Sequence, residues 1–187
     1  MQIWTIGHST REIDKFISAL EANGIKLIAD VRLLPGSKRY PQFNRESLAK
    51  SLSEHGIGYE HFPELGGRRK PKPDSRNTAW RNEAFRGYAD HMETEEFREG
   101  VNRLVHLATG RVRPVGDLAN KVGPTVLMCA VAVWWRCHRA MISDFLKAHG
   151  IEVTHILDEK KTEPHPFTSA ARIVNGELSY ASDEVLL

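Results

Sequence analysis

The sequence has few cysteines, no long apolar run and almost no net charge. Two cysteines among 187 residues cannot form the disulfide framework of a small secreted protein, so we expect free thiols in a reducing, cytoplasmic setting. No stretch approaches the roughly 20 apolar residues of a membrane helix, and the opening MQIWTIGHST lacks the features of a signal peptide. We therefore expect no membrane partner. A net charge of +2 does not by itself indicate nucleic-acid binding.

What is present indicates a globular α/β protein. Hydrophobic residues make up 41% of the chain and charged residues 27%, which is typical of one folded domain. We predict a single domain over residues 1–172 and a tail over 173–187, irregular from residue 164 onward. Within the domain, residues 63–83 form a basic loop and residues 109–124 a surface insertion. Oligomeric state is left open.

Strands and helices are predicted to alternate along the chain. Three helix exits share a Gly-Ile pair, because glycine ends a helix in the left-handed conformation and the next apolar residue packs back. The predicted strands cover 2–6, 26–31, 58–62, 125–129 and 152–157. Predicted helices follow His8, where Ser9 and Glu12 have capping-box spacing, and cover 45–55, 95–108 and 138–149. This order favours a three-layer α/β/α domain with a mostly parallel, doubly wound sheet of about five strands, Rossmann-like or rhodanese-like.

Polar side chains follow four of these strands. Parallel strands bring their carboxyl ends to one edge of the sheet, where ligands bind in open α/β folds. The candidates for catalysis there are Asp30, Glu64, Cys129, Cys137 and His138. The candidates for binding a substrate or anion are His8, Ser9, Arg32, Arg39, Arg68, Arg69, Arg136 and Arg139. Structural alternatives stay open: Asp30 caps the following loop or forms a structural ion pair with Arg32, His8 is a structural hydrogen-bonding group, and Cys129 is an inert apolar residue.

The stretch MCAVAVWWRCHRA, residues 128–140, places two thiols beside an imidazole and two guanidinium groups. A cysteine at the start of a helix and beside cations has a lowered thiol pKa, and Cys137 fits this description better than Cys129. The same turn is suited to binding a phosphate or sulfate. Two cysteines and one adjacent histidine are a weak metal signal, so no metal and no cofactor are predicted.

A second basic segment, residues 68–86, carries seven lysines and arginines together with Trp80 and Phe85. This composition is typical either of a solvated loop or of a site for a phosphodiester backbone with aromatic stacking.

Several motifs resemble the domain of unknown function 488 family: TIGHST, ADVR, PELGG, residues 35–44, RNEAFRGYADHM and LMCAVAVWWRCHR. The resemblance covers residues 1 to about 172 and implies a fold and a shared active site without an assigned reaction. The family usually has glutamate after Cys-Ala, where this chain has Val131. KLIADVR and residues 125–157 also follow the layout of rhodanese and low-molecular-weight phosphatase domains, in which a strand ends at a catalytic cysteine.

The leading interpretation is a cytosolic enzyme that binds a phosphate-bearing substrate, a nucleotide or nucleic acid, at an arginine-lined site. In this interpretation Asp30 or Glu64 is the general acid or base, and His8 and His138 orient the substrate. One alternative is thiol chemistry, in which Cys129 or Cys137 transfers sulfur or a phosphoryl group. The other is a non-catalytic nucleic-acid-binding module, with Val131 marking the loss of chemistry.

Overall fold

A six-stranded sheet forms the centre of the molecule. The computed structural model describes residues 1–110 and 123–182. In sequence order, the strands are β1 (Gln2–Gly7), β2 (Leu27–Asp30), β3 (Gly58–His61), β4 (Thr125–Cys129), β5 (Glu152–Ile156) and β6 (Thr162–Pro164). Their spatial order is β3-β2-β4-β1-β5-β6, with the first five parallel and β6 antiparallel to β5.

Within the described residues, five α-helices cover both faces of this sheet. They are α1 (Ile13–Ala22), α2 (Arg45–Glu54), α3 (Glu83–Met92), α4 (Glu95–Thr109) and α5 (Arg139–Ala148). Apolar residues of α1 and α2 pack with Ile28 and Val126 in one core, and those of α3, α4 and α5 pack with Leu27 and Leu127 in the other. Successive strand residues point to opposite faces, so the uninterrupted apolar run of β2 and β4 serves both cores. The prediction of a three-layer, mostly parallel α/β domain is confirmed.

The sheet has a switch point between β1 and β4. The chain leaves β1 toward α1 on one face and leaves β4 toward α5 on the opposite face. The two connections therefore diverge and open a crevice at the carboxyl ends of these neighbouring strands, which is the usual ligand position in such folds.

The predicted helix ends at the three Gly-Ile pairs are confirmed. Gly24, Gly56 and Gly150 adopt the left-handed conformation with φ of 65°, 67° and 75°. Thr94 caps α4, because its Oγ1 accepts a hydrogen bond from the backbone N–H of Phe97.

Three local predictions differ from the structure. The capping box is wrong: α1 begins at Ile13, Glu12 makes no capping hydrogen bond, and Ser9 takes a left-handed conformation with φ of 51°. Helix α3 was not predicted. Beyond residue 164, where irregular chain was expected, β7 (Arg172–Val174) and β8 (Glu177–Ser179) form a hairpin, and the following Tyr180 is buried.

Most of the insertion predicted over 109–124 lies outside the described residues, which end at 110 and resume at 123. Within residues 1–110 and 123–182, no helix combines the length and apolar character needed to cross a membrane.

Candidate active site

A cavity of about 540 Å³ opens at the switch point between β1 and β4. We call it the switch-point cavity. Its lining includes residues from the ends of four strands: His8, Ser9, Thr10, Arg32, Ser37, Gly67, Arg68, Cys129, Val131 and His138. The predicted convergence of polar groups from separate strands therefore holds for these residues.

Asp30 and Arg32 form a buried ion pair at the wall of the cavity. Arg32 Nη2 lies 2.6 Å from Asp30 Oδ2, and Arg32 Nε lies 2.9 Å from Oδ1. The hydroxyl of Tyr59 donates to Oδ2 at 2.7 Å. Burial alone would lower the pKa of Arg32, but its hydrogen bond with Asp30 raises that pKa above the usual range. With both carboxylate oxygens engaged and the residue fully buried, Asp30 is placed to orient Arg32.

His8 stands beside this pair as a neutral imidazole. Its Nε2 lies 3.3 Å from Arg32 Nη1, and arginine only donates, so Nε2 accepts and Nδ1 carries the proton. Nδ1 then donates to the carbonyl of Ser9 at 3.0 Å. Burial, followed by the positive charge of Arg32, lowers the pKa of His8 to about 4. His8 therefore adds no charge to the cavity at neutral pH, and both of its ring nitrogens already have hydrogen-bond partners.

The two thiols meet at the floor of the cavity. Both cysteines are free and nearly buried, with 7% exposure for Cys129 and 3% for Cys137. A hydrogen bond from the Cys129 thiol lowers the pKa of Cys137 well below its usual range, against the effect of burial, and the positive charge of Arg139 contributes in the same direction. The hydrogen bond to Cys137, together with burial, raises the pKa of Cys129. Of the two thiols, Cys137 is therefore the more acidic.

His138 completes the cluster. Its Nε2 lies 3.0 Å from the carbonyl oxygen of Val31, and Nδ1 lies 3.7 Å from Cys137 Sγ. The ligating atoms of Cys129, Cys137 and His138 all lie within 4.8 Å of one another. Gly67 is required beside the ring, because a Cβ there would lie 2.8 Å from Nδ1. We call these three side chains the thiol cluster.

Arg139 lies beneath the thiol cluster and does not line the cavity. It is 1% exposed, and its Nε donates to Cys137 Sγ at 3.4 Å. Nη2 donates to the carbonyl oxygen of Val131 at 2.5 Å, which holds the loop between β4 and α5. The structure thus places Arg139 as a support for the sulfur of Cys137 and for the loop.

Four other predicted residues lie away from the cavity lining. Glu64 pairs with Arg103 of α4, with 2.6 Å between Oε1 and Nη2, and Arg69 pairs with Glu96 at 3.1 Å. Arg39 is exposed beside Tyr40, and Arg136 is exposed in a 3-10 turn over Trp134–Arg136. Of the predicted arginines, Arg68 alone lines the cavity with an exposed side chain.

Sequence reasoning missed a chain of buried hydrogen bonds behind Arg139. Arg139 Nη1 donates to Thr5 Oγ1 at 3.4 Å, and Thr5 Oγ1 lies 2.7 Å from His155 Nδ1. His155 Nε2 lies 2.9 Å from His165 Nδ1, and His165 Nε2 lies 3.0 Å from Asp144 Oδ1. We call this sequence, from Arg139 to Asp144, the histidine chain. Histidines inside a strand gave no signal of it, because its partners are far apart in the sequence.

Tyr88 was also missed, although its motif was visible. Its ring centroid lies 5.0 Å from that of His138, and its hydroxyl donates to the carbonyl oxygen of Leu65 at 2.8 Å. The segment RNEAFRGYADHM contained this residue, and placing it on a helix would have directed Tyr88 toward the core.

Comparison with known proteins gives one match. Residues 12–146 match the family model described as Domain of unknown function DUF488. This stretch contains the thiol cluster and the Asp30–Arg32 pair, but it leaves out β1 with His8 and β5 with His155. No curated protein and no solved structure matches the chain.

Proposed function

The chain belongs to the Domain of unknown function DUF488 family, and because that name assigns no reaction, we propose a function from the site itself. We propose a thiol enzyme that transfers a sulfur or phosphoryl group from a small anionic donor to Cys129. The observation that carries this proposal is the meeting of Cys129, Cys137 and His138 within 4.8 Å at the floor of the switch-point cavity.

The two thiols have different positions and therefore different roles. Cys129 lines the cavity, whereas Cys137 lies behind it against Arg139. In the proposed enzyme, Cys137 is a thiolate that accepts the hydrogen bond from the Cys129 thiol and acts as the base for its proton. Cys129 is then the nucleophile, because it is the cysteine that lines the cavity a substrate would occupy.

The proposed step is a displacement at the sulfur or phosphorus atom of the donor. The sulfur of Cys129 forms a bond to the electrophilic sulfur or phosphorus atom of the donor, and its proton moves to Cys137. The bond between that atom and the leaving group breaks, and the leaving group departs with the electron pair. His138 faces the same space and stabilises the charge that develops on the leaving group.

The polar lining favours a donor that carries an oxyanion. Arg68 supplies an exposed guanidinium at the cavity, and Ser9, Thr10 and Ser37 add short polar side chains. Arg32 is engaged by Asp30, and its Nη1 points toward His8. Because one free guanidinium binds an oxyanion but does not form an extended basic surface, a small donor fits better than a polymer. Both cysteines are free, which accords with a reducing cytoplasmic setting for this chemistry.

Nucleic-acid binding by the basic loop has weaker support. Trp80 packs against Phe85 with ring centroids 4.8 Å apart and against Tyr180 at 5.7 Å. These rings join the core in place of offering free faces to bases. Arg69 pairs with Glu96 of α4, and Lys72 pairs with Glu93, the residue that follows α3.

Native alkylation tests the proposal. Iodoacetamide at neutral pH should modify Cys129 first, and Cys137→Ala should slow that modification at least about tenfold by removing the base. Mass spectrometry locates the modified thiol, and inorganic sulfate should protect it. Incubation with thiosulfate should add one sulfur atom to Cys129, whereas an aryl phosphate would instead add a phosphoryl group. Thiols that stay unmodified in the folded protein by all three reagents would refute the proposal.

A further inference from the structure

We propose that the thiol cluster is also a binding site for one Zn²⁺ ion, with Cys129 Sγ, Cys137 Sγ and His138 Nδ1 as protein ligands. The three atoms lie within 4.8 Å of one another. Zinc binds sulfur at about 2.3 Å and nitrogen at about 2.0 Å in a tetrahedral arrangement, which places ligand atoms roughly 3.5–4 Å apart. The cluster therefore needs to contract by about 1 Å or less to hold the ion.

The tautomer of His138 is already the one a metal requires. The carbonyl oxygen of Val31 can only accept, so Nε2, at 3.0 Å from it, carries the proton. In the neutral ring Nδ1 is then the unprotonated nitrogen, and it lies 3.7 Å from Cys137 Sγ. Metal-bound histidines almost always donate their second ring nitrogen to a carbonyl or carboxylate in this way. The orientation of the His138 ring is therefore a second observation, separate from the short distances among the three ligating atoms.

The surroundings of Cys137 supply a further outer contact. Arg139 Nε donates to Cys137 Sγ at 3.4 Å, and the same guanidinium holds the loop that separates the two cysteines. An N–H donor on a thiolate ligand fixes its direction in the absence of metal. The site is thus held from beneath by α5 before any ion arrives.

The ligand types select the ion. Two sulfur atoms and one imidazole suit Zn²⁺, whereas Mg²⁺ and Ca²⁺ require oxygen ligands. Asp30, the buried carboxylate at the cavity wall, has both oxygens engaged by Arg32 and Tyr59. Cys129 and His138 line the cavity, so the fourth position faces it and would take water.

Zinc binding would make the thiol site switchable. An ion bound to Cys129 occupies the lone pair that the proposed nucleophile uses, so the metal-bound form is inactive in thiol transfer. This consequence rests on the proposed function, but the metal site itself does not.

Cobalt titration of the metal-free full chain tests the site. Because the chain has two cysteines, any thiolate–cobalt signal comes from this cluster. We expect one Co²⁺ per chain, with sulfur-to-cobalt charge-transfer absorption and the visible bands of tetrahedral cobalt, and displacement by one equivalent of Zn²⁺. Cys129→Ala, Cys137→Ala and His138→Gln should each weaken binding at least about tenfold. His106→Ala, an exposed histidine on α4, is the matched control and should bind as the wild type does.

Thermal unfolding guards against misfolded variants. Zn²⁺ should raise the Tm of the wild type and of His106→Ala, but not the Tm of Cys137→Ala, whose folding is checked first by circular dichroism without metal. Absence of thiolate–cobalt absorption in the wild type, or equal binding by Cys137→Ala, would overturn the metal site.

Alkylation with and without Zn²⁺ separates the two proposals. Thiols that react in the metal-free protein and are protected by one equivalent of Zn²⁺ support both. Inert thiols together with a clear cobalt signal refute the thiol enzyme and keep the metal site. Reactive thiols without any cobalt signal refute the metal site and keep the thiol enzyme.

Discussion

Asp144 and Cys137 lie at opposite ends of one run of buried hydrogen bonds, yet their surroundings differ. Asp144 accepts from His165, from both the N–H and hydroxyl of Thr168, and from the hydroxyl of Tyr180. Cys137 has Arg139, His138 and a second thiol as neighbours, and the cavity lies just beyond. The carboxylate of Asp144 accepts hydrogen bonds at both of its oxygens, whereas the thiols at the other end lie beside a cavity and can still bind a ligand or react.

The direction of the hydrogen bonds explains why the Asp144 end of this network is stable. Burial, followed by the neighbouring His165, lowers the pKa of His155 to about 3, so its ring is neutral. Arg139 then donates to Thr5, and each member donates to the next as far as the Asp144 carboxylate. Trp134 stacks on His155 with ring centroids 4.3 Å apart, which excludes water. A buried polar network in which every group has its hydrogen-bond partners makes a core more rigid. This network holds the guanidinium of Arg139 in place.

The largest expected effect is at the carboxylate end. Asp144→Asn removes a charge that four donors share, so it should cost roughly 3–5 kcal/mol of unfolding free energy. Urea unfolding measures this loss, and native alkylation of the folded fraction should stay within about twofold of wild type. Cys137→Ala is the matched variant: it should cost only about 1 kcal/mol while slowing alkylation. If Asp144→Asn slows the alkylation of the thiols as much as Cys137→Ala does, the two ends of the network do not act independently.

The pH dependence of stability sharpens the comparison next. The unfolded chain protonates His155 near pH 6.5, whereas the folded protein resists protonation down to about pH 3. The stabilisation from keeping this ring neutral is therefore complete above about pH 6.5 and is lost as the pH falls. His155 should contribute about 2 kcal/mol of destabilisation between pH 7 and pH 5.

Urea unfolding at both pH values checks this contribution. His155→Gln should lose less stability on acidification than wild type, and His106→Ala, exposed on α4, should match wild type. Identical pH slopes for His155→Gln and wild type would show that the ring is not held neutral.

A change beside the thiol end comes third. In Gly67→Ala, the new Cβ would lie 2.8 Å from His138 Nδ1, so the ring must rotate away from Cys137. We expect a severalfold slower alkylation of Cys129 and a loss of stability of about 1–2 kcal/mol. Gly36→Ala, whose Cβ meets nothing within 4 Å, is the stability control. Unchanged alkylation in Gly67→Ala would mean that the position of His138 does not affect the thiols.

The smallest effect is expected at Glu64. Glu64 forms a partly exposed ion pair with Arg103 of α4 and does not line the switch-point cavity. Glu64→Gln should therefore change stability by at most about 1 kcal/mol and leave the alkylation and thiosulfate reactions at wild-type rates. A large loss of activity in this variant would restore Glu64 as a general acid or base.

The sequence was sufficient for the layers of the fold because its signals are local. Gly-Ile helix exits and short apolar strands depend on neighbouring residues, and they located four helices and the five parallel strands. Helix α3 was missed because its sequence, EAFRGYADHM, contains a glycine and follows a loop rich in Arg and Pro. The β7–β8 hairpin was missed because three-residue strands carry almost no pattern.

The site was predictable in position and only partly in orientation. Strand ends brought His8, Arg32, Cys129 and His138 to one cavity, as expected from a parallel sheet. The direction of Arg139 depends on Thr5, which lies more than a hundred residues away in the sequence. Such partners follow from the assembled fold and not from local spacing.

The central position of β1 has a consequence for how the chain reaches this state. Trp4 pairs with Val126 on one side and with Thr154 on the other, so β1 can pair only after β4 and β5, which come much later in the sequence, have been synthesised. Until then its edges are open to pairing with other chains. Folding should be completed late and slowly, as high contact order requires. A fragment cut to residues 12–146 would lack both β1 and β5 and could not close the sheet.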